Sequence, residues 1–244
     1  MPDKHQLQWE RLGATDPYWA VLTDNTRKNG NWNAEEFFQT GKSEIKYLFQ
    51  RLEQLNLTFT AEVAVDFGCG VGRLSRALAE HFTKVIGIDV SSSMLGEARS
   101  ANAHIPNIEF IHNVAEDLSV LSDISVNFIY SNIVLQHMPQ QRQSQYIKEF
   151  CRILGAGGVL VFQTPSQCRL TTRGGWAHLL LGNRILNVIR KWRYGEDGVM
   201  EIHTFEKSKV IELLTQHGMS LAGVDAYDSA GPAYKSYRYF AVKS

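Results

Sequence analysis

The sequence predicts an α/β fold in which a doubly wound mixed sheet, mostly parallel, ends in a C-terminal antiparallel hairpin. Three observations carry this. From residue 43 onward, short apolar runs alternate with segments of helical periodicity, the pattern of parallel strands joined by crossover helices. The run AEVAVDFG stops at a loop with glycines at 68, 70 and 72, which lets the backbone approach a ligand outside the carboxyl end of a strand. Near the C-terminus, MSLAGVDAYD and SYRYFAVKS follow one another with no helix between them, so they pair antiparallel at the sheet edge.

Taken in order, residues 1–42 read as an irregular aromatic cap, with Trp9, Tyr18, Trp19, Trp32, Phe37 and Phe38 and a turn at Gly30 and Asn31. From Ser43, Ile45, Leu48, Phe49, Leu52 and Leu55 share a helical face, and the first strand follows. Leu74, Leu78 and Phe82 mark a helix, KVIGIDV a strand, Met94 to Ala101 a helix, and NIEFIHNV a strand. VNFIYSNIVLQHM is a fourth strand with its exit loop. Ile147, Phe150, Cys151 and Leu154 then line one face of a helix that GAGG breaks. VLVFQTP is the fifth strand, and a late helix starts with Thr204 as N-cap and stops at Gly218. The expected organisation is the cap over 1–42 and one domain over 43–244, the latter carrying a basic insertion at about 167–203.

Composition narrows the function. The 244 residues carry 25 Lys+Arg and 25 Asp+Glu, so no global charge draws the chain to nucleic acid or to an anionic membrane. No run approaches the ~18 apolar residues of a membrane span, and the N-terminus lacks the pattern of a secretory signal. Cys69, Cys151 and Cys168 are odd in number and lack metal-ligand spacing, which suits a reducing, cytoplasmic setting. Monomer and homodimer are both open.

The glycine loop fails the dinucleotide fingerprint, since Arg73 stands where the third glycine of G-x-G-x-x-G belongs. Asp66, at the end of the same strand, opposes a pyrophosphate by roughly 4 kcal/mol for unit charges about 4 Å apart at an effective dielectric near 20. A second acid, Asp89, ends the second strand seventeen positions after Gly72, where it can accept from ribose hydroxyls. Together the two acids point to a ligand with a ribose and a cationic tail but no phosphate. S-adenosylmethionine has that make-up.

At these residues the chain resembles the class I S-adenosylmethionine-dependent methyltransferases, a Rossmann-like family, over about Ala61 to Gln163 plus the terminal hairpin. VAVDFGCGVGRLS is similar to the family's first motif, VIGIDVSSSML to its second, NVAEDL to the segment after the third strand, and YSNIVLQHM to its fourth motif. The resemblance implies that Gly68, Cys69, Gly70 and Arg73 form the loop at the methionine portion, with Asp66 reaching its amino group. It also implies that Asp89 binds the ribose, that Val90 and Met94 pack near the adenine, that Ala115 and Glu116 approach the base edge, and that Ser131 and Asn132 face the transferred methyl. Val114 departs from the pattern, because many relatives have aspartate there. The Cys69 side chain itself reads as a small buried filler.

Methyl transfer asks for two positioned reactants and, for a protic acceptor, a base. His137, at the exit of the fourth strand, is the first candidate for that base and His203 the second, against the alternative that each only satisfies local backbone. His112 reads as a packing or edge residue. No Asp or Glu occurs between Glu149 and Glu196, while Arg152, Arg169, Arg173, Arg184, Arg190, Lys191 and Arg193 do. The amphipathic stretch among them reads as a lid over a small-molecule methyl acceptor, or as a packed basic edge, a peripheral membrane contact or a site for an acidic partner. An oxygen acceptor is preferred over nitrogen or sulfur. The rivals are an RNA or protein methyltransferase, a non-catalytic binder of S-adenosylmethionine, and a nicotinamide oxidoreductase, the last opposed by Arg73 and Asp66.

Overall fold

The structure, a computed structural model, describes residues 4–172, 176, 180 and 200–244. Its centre is a seven-stranded sheet: β1 Val63–Phe67, β2 Lys84–Asp89, β3 Ile108–His112, β4 Val126–Ser131, β5 Leu154–Cys168, β6 Met219–Ala226 and β7 Tyr234–Lys243. The spatial order is β3-β2-β1-β4-β5-β7-β6. β1 to β5 pair in parallel, whereas β7 is antiparallel to both β5 and β6. The expected terminal hairpin is therefore present, and it joins the sheet through its second strand, leaving β6 at the edge.

Helices cover both faces because strand side chains alternate. Val65 and Phe67 of β1 face a core with α6 (Gln140–Ile153) and α7 (Lys207–Gln216). Ala64 faces the opposite core with α3 (Ala34–Gln54) and α4 (Arg73–Leu78). Period two places Asp66 on this second side as well.

Four local expectations change. Residues 4–15 form a helix, α1 (Lys4–Thr15), followed by α2 (Pro17–Val21), where the sequence reads as irregular. The apolar stripe of α1 is too thin to announce it: Leu12 is buried but Leu7 is 56% exposed. Helix α3 runs unbroken through residue 42, with Asn33 Oδ1 capping it by accepting from Glu36 N at 3.1 Å. Residues 155–158 lie within β5 as a bulge between the Val126–Leu154 and Phe128–Val159 pairs, so α6 passes directly into the strand. Finally, α7 begins at Lys207, whose N–H donates to Ser166 Oγ at 3.0 Å, a tertiary cap that Thr204 does not supply. The expected basic insertion lies for the most part outside the described residues. Among the described residues no helix is long and apolar enough to cross a membrane.

The N-terminal segment is tied to the domain through Glu10. Its carboxylate accepts from the hydroxyls of Ser91, Ser92 and Ser93 and from Ser93 N, at the start of α5 (Ser92–Ala101). Burial alone would raise the Glu10 pKa, but the bonds from Ser93, Ser92 and Ser91 outweigh it and bring it down to about 2. A helix N-terminus also favours a carboxylate. Because the folded pKa lies below the ordinary glutamate value of 4.5, this contribution is fully present above that pH and is lost as pH falls toward about 2. Denaturant unfolding at a series of pH values should show the wild type losing this share of stability across that window. Glu10→Gln should lack that component of the pH dependence.

Candidate active site

In a doubly wound sheet, chain crossovers diverge where the strand order reverses, and the carboxyl ends of the strands at that point border a crevice. Here the reversal lies between β1 and β4. The loop leaving β1 is closed by backbone bonds: the N–H groups of Gly68 and Cys69 both donate to Ile88 O, at 2.8 and 3.1 Å. Gly68 adopts φ +75°, and a Cβ there would lie 2.3 Å from Val134 Cγ2. Gly70, at φ +53°, has Val21 Cγ2 at 2.7 Å from the corresponding position. These two positions accept no side chain without moving neighbours from β4's exit and from α2.

The bond that joins loop to second strand is Gly70 N donating to Asp89 Oδ2 at 2.8 Å. Asp89 Oδ1 accepts from Ser91 N at 2.9 Å. Each carboxylate oxygen thus uses one acceptor site and keeps capacity for a ligand hydroxyl. Burial raises the Asp89 pKa, and the N–H donors from Ser91 and Gly70 oppose that.

A cavity of about 660 Å³ opens here, within the range of small-molecule sites. Its walls include Gly68, Cys69, Gly70 and Arg73 from the loop, Asp89, Val90 and Met94 beyond β2, Asn113 after β3, and Asn132 to Val134 after β4. Gln136, His137, Met138 and Tyr146 continue the wall, and Trp9, Trp32, Met200 and Ile202 enclose the far side.

His137 is 7% exposed, in a short 3-10 turn, Leu135–His137. Its Nδ1 lies 2.9 Å from Glu201 O and its Nε2 lies 3.2 Å from Gln136 Nε2. The Trp9 ring meets the imidazole edge-on at 5.1 Å.

Behind the glycine loop is a buried polar cluster centred on Glu44 of α3. It is ion-paired with Arg238 of β7 and accepts from Tyr130 Oη at 2.6 Å and from Tyr227 Oη at 3.4 Å. Burial would raise its pKa, yet the Arg238 charge and the Tyr130 bond bring it down. Arg73 lies in the same field, its pKa lowered by burial against the opposing pull of Glu44. Several residues of the cavity wall keep a buried polar atom without a partner among the described residues: Trp32 Nε1, Arg73 Nε, Asn132 Oδ1 and Ser229 Oγ.

Residues 64–158 match a family described as methyltransferase domain. The matched segment is a methyltransferase domain, and the sheet that carries it has the fold of the class I S-adenosylmethionine-dependent methyltransferases. Its similarity to trans-aconitate 2-methyltransferase of Azoarcus sp. is 29% identity over 165 residues, 64% of this chain and 62% of the relative. Similarity to phosphoethanolamine N-methyltransferase 1 of Caenorhabditis elegans is 25% over 191 residues, 72% of this chain and 38% of the relative. The chain thus spans less than two thirds of either curated relative. In fold it is similar to magnesium protoporphyrin IX methyltransferase from Synechocystis with bound SAH, at TM-score 0.64 and 20% identity, over 99% of this chain and 100% of that one.

Within this methyltransferase domain the structure brings together Gly68, Cys69, Gly70, Arg73, Asp89, Val90, Met94, Asn132 and His137 on one cavity. Asp66 is not on its wall. It is 1% exposed and accepts from Ser75 Oγ of α4 at 2.6 Å, because strand alternation turns it toward that helix. Burial pushes its carboxyl up to about 6, with the Ser75 bond and the nearby Arg73 pulling the other way. Ser131 is also behind the wall, its hydroxyl donating to Phe67 O at 3.2 Å. Ala115 accepts from Tyr146 Oη at 2.8 Å through its carbonyl, and Glu116 pairs with Arg142. Val114 is 58% exposed. Among the described contacts, His203 Nε2 lies 3.2 Å from Glu201 Oε2, and its N–H donates to Gln136 O at 2.8 Å. His112 Nε2 meets Val90 O at 3.0 Å. Trp9 and Trp32 of the aromatic N-terminus reach the cavity, whereas Tyr18 donates to Glu97 at 2.8 Å.

Sequence reasoning missed Asn113, Gln136, Tyr146, Met200, Ile202 and the 229–231 turn as wall residues. Gln136 sits inside the quoted fourth motif and Ser229 in a turn-rich stretch, DSAGPA, so both carried a weak signal. Asn113 opens the quoted NVAEDL segment, and Tyr146, Met200 and Ile202 are ordinary core types.

The glycine geometry predicts the behaviour of Gly68→Ala. The added methyl collides with Val134 and sits in the left-handed region, a backbone cost of about 1–2 kcal/mol. Urea unfolding should show Val134→Ala recovering the steric share of the loss in the double variant and leaving the backbone share.

Proposed function

We propose that this chain transfers a methyl group from S-adenosylmethionine to a small-molecule nucleophile, with an oxygen acceptor preferred. The observation that carries this reading is that one cavity joins the glycine loop and Asp89 to His137 and an aromatic, largely apolar far wall. Relatives named for trans-aconitate and phosphoethanolamine support a small acceptor. The second of those names favours nitrogen as the alternative acceptor atom.

The residues present suit the donor. The side-chain-free loop at Gly68 and Gly70 would lie along the methionine portion, with Arg73 the one cation of the loop to meet its carboxylate. Asp89, with acceptor capacity left on both oxygens, would take the ribose hydroxyls. Val90 and Met94 would pack on the adenine, and Asn132 would border the reacting end. Asp66, held by Ser75, would act on the ligand's ammonium only through intervening groups. When bound, S-adenosylmethionine supplies an electrophilic methyl on a sulfonium whose departure leaves a neutral thioether. What remains for the chain is to orient the acceptor in line, keep water out and remove a proton.

His137 would take that proton. Trp9, Met138, Tyr146, Met200 and Ile202 surround the space beside it with apolar and aromatic surface, so the acceptor best suited has an apolar body and one protic group. Helix α1 and the methyltransferase domain then act as one working unit, since Trp9 belongs to the first and closes the site of the second.

Thermal unfolding tests the donor. S-adenosylhomocysteine at about a hundred times its dissociation constant should stabilise the fold by roughly 2.7 kcal/mol, and NAD should not. Asp89→Asn should weaken that binding by about 10- to 100-fold in calorimetry, the cost of a charged hydrogen-bond acceptor. With an acceptor found from a panel of phenols, carboxylic acids and amines, His137→Ala should lower kcat by roughly 100-fold and leave S-adenosylhomocysteine affinity unchanged. Unchanged turnover across about pH 6 to 9 would remove His137 as the base.

A further inference from the structure

The geometry assigns Gln163 and Gln136 as positioning residues that fix which nitrogen of His137 carries its proton. The tautomer stands on the hydrogen bonds alone; its consequence for turnover rests on the reading of His137 as the base.

Both ends of the chain of bonds are backbone groups whose roles cannot be exchanged. At one end, Ile133 N–H can only donate, and it meets Gln163 Oε1 at 3.3 Å. An amide that accepts there offers its NH2 on the other side, and Gln163 Nε2 donates to Gln136 Oε1 at 3.2 Å. Gln136 then offers its own NH2, with Nε2 3.2 Å from His137 Nε2. At the far end, Glu201 O can only accept, and it lies 2.9 Å from His137 Nδ1. A neutral imidazole that donates from Nδ1 and accepts at Nε2 satisfies both neighbours. Turning over either amide alone, or moving the ring proton, sets donor against donor or acceptor against acceptor.

Burial gives this order its force. Gln136, His137 and Gln163 are 3%, 7% and 1% exposed, so a mismatched bond is not readily replaced by one to water. The first donor belongs to a strained residue: Ile133 holds φ +63°, a costly conformation for a β-branched side chain. A third glutamine clamps the same turn from behind. Gln143 accepts from Thr164 Oγ1 at 2.7 Å and donates to Met138 O at 2.8 Å, and it is fully buried.

The neutral histidine side chain in water favours the proton on Nε2. The relay reverses that preference and leaves the basic lone pair on the nitrogen that faces Gln136, a neighbour on the cavity wall. It also resists a proton on Nε2 in the resting protein, since that N–H would confront the Gln136 NH2. An acceptor hydroxyl that takes the place of the Gln136 amide meets a nitrogen already deprotonated.

The test is nitrogen NMR of the full chain labelled with 15N-histidine, with His137 assigned by the signals that His137→Ala removes. In the wild type, Nδ1 should carry the proton and Nε2 should not. Gln163→Glu places an acceptor on both sides of that position, so the Gln136 amide should turn over, offer its oxygen to the ring and bring a proton onto Nε2. The same variant should lower kcat by at least about tenfold with S-adenosylhomocysteine affinity unchanged. Should Gln163→Glu fail to fold, Gln136→Glu presents an acceptor to Nε2 directly and should give the same spectral change. A wild-type spectrum with the proton on Nε2, or a folded Gln163→Glu protein with an unaltered His137 signal, overturns the assignment. The expected spectra with unaltered kcat would uphold the tautomer relay and remove His137 from the chemistry.

Discussion

The reversal of strand order between β1 and β4 is the constraint on which the rest of this structure depends. β1 pairs in parallel with β2 on one side and β4 on the other, so the connections from the two halves leave in opposite directions. The carboxyl ends of these strands border a crevice, and the glycine loop, Asp89, Asn132 and His137 reach it from there or from the segment just beyond. The glycine loop is held in place by the same geometry: the two N–H groups on Ile88 O and the one on Asp89 bind the exit of β1 to the end of β2. Loop and acid are therefore one rigid unit.

Charge is buried behind that unit at considerable cost, and the arrangement keeps each charge answered. Glu44 reaches from α3 to Arg238 on β7 and to the hydroxyls of Tyr130 and Tyr227, while the Arg238 guanidinium lies 3.7 Å over the Tyr227 ring. Removing one partner of a buried pair typically costs about 3–5 kcal/mol, because the other is left uncompensated. The cluster therefore welds α3 to the terminal hairpin, through residues 194 positions apart in sequence. Asp66 belongs to this interior. A carboxylate at the mouth of a ligand loop is explained by its bond to Ser75, which ties β1 to α4.

The N-terminal helix completes the enclosure by a different means. It has little apolar surface of its own, and Glu10 seats it on three serines at the start of α5. That places Trp9 against His137. A carboxylate at a helix N-terminus thus sets the position of an aromatic wall.

The strand and helix alternation, the glycine loop, Asp89 and the terminal hairpin were legible because each is a local pattern: period two, period 3.6, or a residue type that a turn demands. His137 and Asn132 could be proposed from their place after the fourth strand. Helix α1 could not be read, since what holds it is tertiary: Glu10 meets serines about eighty residues away, and Leu12 is buried in a core with Met94. Nor could the face of Asp66, because the motif shows an acid beside glycines without showing which side of the sheet it takes. The Gln163, Gln136 and His137 relay was equally hidden: its members come from β5 and from the exit of β4, and its direction is imposed by a backbone N–H at Ile133 and a backbone carbonyl at Glu201. By itself the sequence determined the fold class and the methyltransferase motifs, because both rest on short-range periodicity and on segments contiguous in the chain. Tertiary structure alone decided which polar groups line the cavity and which way their hydrogen bonds run, because those depend on partners that only packing brings within 3 Å or so.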